Sequence, residues 1–105
     1  MVFTIDELSR RITPIAQKYE IPAVYIFGSY ARGDATDDSD VDVLFQREGS
    51  KIKGLLMGAF YEELQESIGK GLDLLTEESL EQHDAKNRTP WFYENTMKER
   101  VKVYG

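Results

Sequence analysis

The sequence contains no cysteine, so neither a disulfide framework nor a thiolate metal site can form. A chain of that kind suits a reducing compartment. It has a single histidine, His83, set in the polar stretch EQHDA, where no neighbour stands at metal-ligand spacing; a surface histidine is the plain reading. No apolar run approaches the ~18–20 residues that a membrane helix needs. The opening residues MVFTIDELSRR lack the basic start and apolar stretch of a secretory signal. A cytoplasmic protein without a membrane partner is therefore expected. Positive charge is in short supply, with 13 Lys+Arg against 19 Asp+Glu and a net charge of -6. Such a surface binds a phosphate backbone poorly, and general nucleic-acid binding is not expected. Neither the P-loop GxxxxGK[ST] nor the dinucleotide GxGxxG is present. Without repeats or a long linker, the 105 residues are expected to form one domain, 1–105, around a modest core.

The apolar residues that are present fall into short periodic groups. Thr4 and Glu7 have capping-box spacing, and Leu8, Ile12, Ile15 and Tyr19 follow at helical intervals, which predicts one helix over 5–19, bent at Pro14. Residues 23–27, AVYIF, read as a buried strand ending at Gly28, and residues 29–33 as a helical turn. Residues 41–46 read as a second strand. Ser50 is placed to cap a helix over 51–68 whose apolar positions, Ile52, Leu55, Leu56, Ala59, Phe60, Leu64 and Ile68, stand at helical spacing. Residues 72–75 read as a third strand after the loop Gly69-Lys70-Gly71. A short helix over 77–84 and another from Pro90 to about Lys98, with Thr89 as its N-cap, complete the pattern. Residues 101–104 fit a strand, a helical tail or an interface segment. Strands separated by helices predict a layered α/β (α+β) fold, with a small mixed sheet and flanking helices. The adjacent aromatics Trp91, Phe92 and Tyr93 read as core with a modest interface rather than as a base-stacking platform.

Acidic residues are concentrated in residues 28–45, GSYARGDATDDSDVDVLF. Asp40 and Asp42 stand two apart on a strand, so both carboxylates share one face while Val41 and Val43 anchor the other. Two like charges held close repel unless a cation lies between them. Mg²⁺ is a hard ion that takes carboxylates together with substrate phosphates, and it fills that role. Gly28-Ser29 stands where a strand meets a helical turn. Glycine allows close approach of a phosphate, while free amides and the Ser29 hydroxyl supply donors. Arg32 either contacts phosphate or pairs with the neighbouring aspartates. Asp73 is an acid embedded in an apolar strand, where burial would call for a metal or cationic partner, or else an edge-strand acid reaching solvent.

Residues 28–42 resemble the minimal nucleotidyltransferases of the DNA polymerase beta superfamily, whose pattern is GS, ten residues, then DxD. Gly28-Ser29, the ten residues Tyr30 to Ser39, and Asp40 and Asp42 reproduce it, with GSYARG and SDVDVL around them. The resemblance implies a polymerase-beta-like nucleotidyltransferase fold, ATP as substrate and two Mg²⁺ ions. It places Asp40, Asp42 and Asp73 as the catalytic carboxylates and metal ligands, and Gly28, Ser29 and Arg32 against the nucleotide phosphates. It further implies a partner, because proteins of this kind are commonly encoded beside a small all-helical HEPN-domain toxin. The chain would act as the antitoxin, transferring AMP to a tyrosine of that toxin. A small molecule or an RNA end as acceptor, or neutralisation by binding alone, are the alternatives left open by the sequence.

Overall fold

The computed structural model describes residues 2–80 and 90–105, with side chains from residue 94 onward in the second stretch. His83, the Thr89 cap, the side chains of Trp91, Phe92 and Tyr93, and the later part of the expected 77–84 helix lie outside the described residues.

Helix α1, Ile5–Lys18, begins at the expected capping box: the Glu7 amide donates to Thr4 Oγ1 at 3.0 Å, and the Thr4 amide donates to Glu7 Oε1 at 3.2 Å. It runs on through Pro14, at the loss of one intrahelical donor. Its apolar stripe Leu8, Ile12 and Ala16 is buried. The chain then forms β1, Val24–Phe27; the short helix α2, Ser29–Arg32; and β2, Val41–Phe45. Next come α3, Leu56–Ile68; β3, Leu72–Thr76; α4, Pro90–Glu99; and β4, Val101–Tyr104.

The four strands make one mixed sheet in the order β3-β2-β1-β4. β1 is antiparallel to both β2 and β4, and β2 is parallel to β3. α1 and α3 bury one face of the sheet, where Phe60 meets Phe45 and Tyr19 edge-on at 5.0 and 5.5 Å between ring centres. On the other face Phe27, Leu44 and Leu80 form a smaller cluster with Tyr25, Leu75 and Met97. The two faces follow from strand alternation: Val41 and Val43 point to the helices, and Asp42 and Leu44 point away.

One expectation needs correction, and two readings left open by the sequence are decided. Ser50 does not cap a helix beginning at residue 51. Its hydroxyl donates to the Arg47 carbonyl at 2.6 Å and accepts from the Ile52 amide at 3.1 Å, closing a turn instead. Gly54 then takes a left-handed conformation, φ 53°, so the helix starts only at Leu56. Asp73 is not buried: β3 is an edge strand, and the carboxylate reaches solvent. The ambiguous segment 101–104 is a strand, because β1 leaves an open edge beside β2 that it can pair with.

Candidate active site

β1 delivers Phe27 opposite Asp42, and the next residue, Gly28, turns the chain with φ 70° and ψ −147°. A side chain is disfavoured there on two counts. The dihedrals belong to glycine, and a Cβ would lie 2.1 Å from Asp42 Oδ2. The glycine is therefore what lets the turn and the carboxylate share the same space. α2 follows at once; the first amide to find an acceptor inside the turn is Ala31, bonded to the Gly28 carbonyl at 3.1 Å. The amides ahead of it are those that a helix start leaves for other partners.

The parallel register of β2 and β3 sets Asp42 directly beside Asp73. Asp42 is half-buried and hydrogen-bonded to Asp73, and its pKa is pushed up to about 6. Burial is the first cause, the hydrogen bond and charge of Asp73 come next, and Asp40 adds to them; Arg32 acts in the opposite direction. Burial and the neighbouring acids therefore disfavour the charged form of Asp42, a cost that a cation beside it would relieve. Asp40 precedes β2 and is exposed. Its carboxylate lies against Gly71, where a Cβ would come within 2.0 Å of Oδ1. Each of the two DxD acids therefore faces a glycine, one at the end of β1 and one at the entry to β3.

Arg32 makes ion pairs, one of them to a neighbouring aspartate. Its guanidinium stands 3.4 Å from Asp34 and 3.3 Å from Glu99, both at the surface. Ser29 starts α2 beside Gly28 as expected. Sequence reading passed over two residues of this corner. Gly71 accommodates Asp40, and its position two residues before Asp73 was the available signal. Lys70 Nζ bonds to the buried Tyr30 hydroxyl at 2.9 Å and to the Asp37 carbonyl at 3.1 Å, joining β3's approach to α2 and the acidic loop. No pattern in the sequence pointed to that pair, which are 40 residues apart.

Among the described residues no three acidic or histidine side chains form a ready-made cage for a metal. Mg²⁺ does not require one. It usually keeps waters and binds through one or two carboxylates plus substrate phosphates. The adjacent Asp42 and Asp73, with Asp40 near enough to raise the Asp42 pKa, are a carboxylate donor set that fits it.

The chain matches the family described as "Polymerase beta, Nucleotidyltransferase" over residues 10–104. It is 39% identical over 77 residues to a provisionally named protein adenylyltransferase of Methanocaldococcus jannaschii, covering 72% of this chain and 81% of that one. It is 33% identical over 90 residues to the protein adenylyltransferase MntA of Thermococcus cleftensis, covering 81% and 89%. In fold it resembles a chain from a crystal structure of a toxin–antitoxin with AMP-PNP, with a TM-score of 0.69 at 15% identity, covering 92% of this chain and 73% of that one.

Proposed function

The chain belongs to the polymerase beta nucleotidyltransferase family, and from that premise we propose that it is an antitoxin that transfers AMP from ATP to a tyrosine hydroxyl of a HEPN-domain toxin. Its relatives are named as protein adenylyltransferases, which supports a protein acceptor. The likeness in fold to a toxin–antitoxin chain is compatible with the pairing. The observation that carries the reading is the register that sets Asp42 beside Asp73, next to the Gly28 turn.

In this reading Asp40, Asp42 and Asp73 hold two Mg²⁺ ions, which supply positive charge to the carboxylates and to the nucleotide phosphates. Gly28 lets the phosphates approach the backbone, and the early amides of α2 and the Ser29 hydroxyl donate to them. Arg32 adds a secondary phosphate contact by exchanging its surface carboxylates for the nucleotide. The tyrosine oxygen forms a bond to the α-phosphorus as the bond from that phosphorus to the β,γ-diphosphate breaks. Pyrophosphate leaves with the electron pair. The tyrosine proton passes to Asp73, whose place on an edge strand leaves it open to an incoming acceptor.

Catalysis and simple occlusion separate in cells. At matched expression the wild-type chain should restore growth to cells making the toxin, and the Asp40→Asn/Asp42→Asn chain should not. Equal rescue by the double variant, with the toxin unmodified, would assign neutralisation to binding alone.

A further inference from the structure

Lys70 joins two parts of the site that lie far apart in the sequence. α3 ends at Gly69, whose left-handed φ of 74° turns the chain toward β3. Lys70 follows, half-buried, and its Nζ donates to the Tyr30 hydroxyl at 2.9 Å and to the Asp37 carbonyl at 3.1 Å. The same ammonium group lies 5.4 Å from the centre of the Tyr30 ring. Tyr30 is buried in the main core, so its hydroxyl is a fixed point. It is the second residue of α2, directly after Ser29 and the Gly28 turn. Asp37 belongs to a closed loop. The Ser39 amide donates to the Thr36 carbonyl at 3.0 Å, and the Thr36 amide donates to Ser39 Oγ at 2.9 Å. Asp40 is the next residue. The Lys70 ammonium therefore ties the Gly28-Ser29 turn to the loop that delivers the first DxD acid. Gly71 completes the join: its carbonyl accepts from the Val41 amide at 2.9 Å, and its lack of a side chain leaves room for the Asp40 carboxylate.

The charges explain why a tie is needed. Asp34, Asp37, Asp38 and Asp40 crowd one short loop, with Asp42 just beyond, and like charges favour opening it. Hydrogen bonds from an ammonium group are charge-assisted and stronger than neutral ones, so Lys70 holds the loop where repulsion works against it. A metal-bound nucleotide has to touch both halves at once, the carboxylates through the cation and the Gly28-Ser29 turn through its phosphates. Binding costs less when the separation of the two halves is set beforehand. We propose that Lys70 is a positioning residue for nucleotidyl transfer, its ammonium group holding the Gly28-Ser29 turn and the Asp40 loop at the separation that a magnesium-bound nucleoside triphosphate spans. Lys70 acts through Tyr30 and Asp37 and touches neither the nucleotide nor the acceptor. This rests on the transfer reading above, and it adds the device by which the chain prepares the site before the nucleotide arrives.

Calorimetric titration with ATP and Mg²⁺, without toxin, tests the tie apart from transfer. Lys70→Met keeps the stem and removes the charge and the donors. It should weaken MgATP binding roughly tenfold, the scale of one charge-assisted bond. Lys70→Arg retains a charge and donors and should recover binding to within roughly threefold of wild type. Tyr30→Phe keeps the buried ring, removes only the hydroxyl, and should weaken binding by roughly threefold or more. Combined with Lys70→Met it should add no further loss, because the hydroxyl acts through the ammonium group. In transfer assays, kcat should fall and KM for ATP should rise in Lys70→Met, while KM for the HEPN-domain toxin stays at the wild-type value. MgATP binding by Lys70→Met within roughly threefold of wild type would overturn the inference. So would a loss that Lys70→Arg does not recover, or losses that add in the double variant. Should Lys70→Met fail to fold, Tyr30→Phe decides by the same titration: weaker MgATP binding supports the tie, and equal binding refutes it. If the wild type binds MgATP and leaves the toxin unmodified, the transfer reading fails by itself and the titration still decides the role of Lys70. No MgATP binding by the wild type would overturn both.

Discussion

Replacing Asp42 with Asn should slow nucleotidyl transfer by roughly 10³-fold, yet stabilise the metal-free protein at neutral pH. The loss of rate reflects several kcal/mol of charge stabilisation, at about 1.36 kcal/mol per tenfold. The gain in stability has a separate origin. The carboxyl of Asp42 ordinarily titrates at 3.8, and in the folded chain at about 6. A raised folded pKa means that the group favours the folded state while it is protonated. That contribution is complete below about pH 4 and is lost as pH rises through about 6. The span between the two values corresponds to roughly 3 kcal/mol at most. Asparagine keeps the shape, can donate to Asp73 as the protonated acid does, and carries no charge to desolvate. In EDTA, the stability advantage of Asp42→Asn over wild type should therefore be small near pH 4 and grow to about 1–3 kcal/mol by pH 7, read from urea midpoints. Added Mg²⁺ with nucleotide should close the gap by stabilising the wild type. A variant that is both inactive and less stable at pH 7 would mean that Asp42 holds the fold together rather than waiting for a cation.

Gly28→Ala should be the most damaging small substitution in the site. It forces a side chain onto φ 70° and ψ −147° and places its Cβ 2.1 Å from Asp42 Oδ2. The backbone strain alone is worth about 1–3 kcal/mol. Displacing the carboxylate by even about 1 Å can cost on the order of 10²-fold in rate. Two other glycines separate these contributions. Gly33 has φ 85° but nothing within 4 Å of its would-be Cβ, so alanine there should cost stability, about 1–2 kcal/mol, and leave transfer largely intact. Gly71 lacks a positive φ, but its Cβ would meet Asp40 Oδ1 at 2.0 Å. Asp40 is exposed and can swing away, so Gly71→Ala should lower activity with little change in stability. Urea midpoints and transfer rates for the three variants check the pattern. Equal effects at Gly28 and Gly33 would show that backbone conformation, and not the fit to Asp42, is what the site depends on.

Local chemistry made much of this architecture readable in advance. The capping box at Thr4, the apolar run ending at Gly28 and the strand that carries Asp42 each depend on residues close in sequence, and each stands where the sequence places it; Asp40 falls just before that strand. What was not readable depends on strand pairing. The setting of Asp73 was left open until β3 was known to be an outer strand, which exposes its carboxylate while the parallel register still sets it beside Asp42. The role of Gly71 against Asp40, and the bond from Lys70 to Tyr30, likewise arise only when β3 docks on β2. At Ser50 two local signals competed. The hydroxyl could cap a helix or close a turn, and the left-handed Gly54 decided for the turn. Residues 101–104 are four residues long and carry no strong period, so their identity as a strand came from the free edge of β1.

The central claim is that this chain uses its acids and a divalent cation to place AMP on a partner protein. Intact-mass measurement of the HEPN-domain toxin tests it most directly, after incubation with the chain, ATP and Mg²⁺, with parallel samples containing EDTA or the Asp40→Asn/Asp42→Asn chain. The account predicts that the toxin gains the mass of one or more AMP groups with the wild-type chain and Mg²⁺, and gains nothing in either parallel sample. A toxin of unchanged mass in the complete reaction, or one equally modified in EDTA, would contradict it.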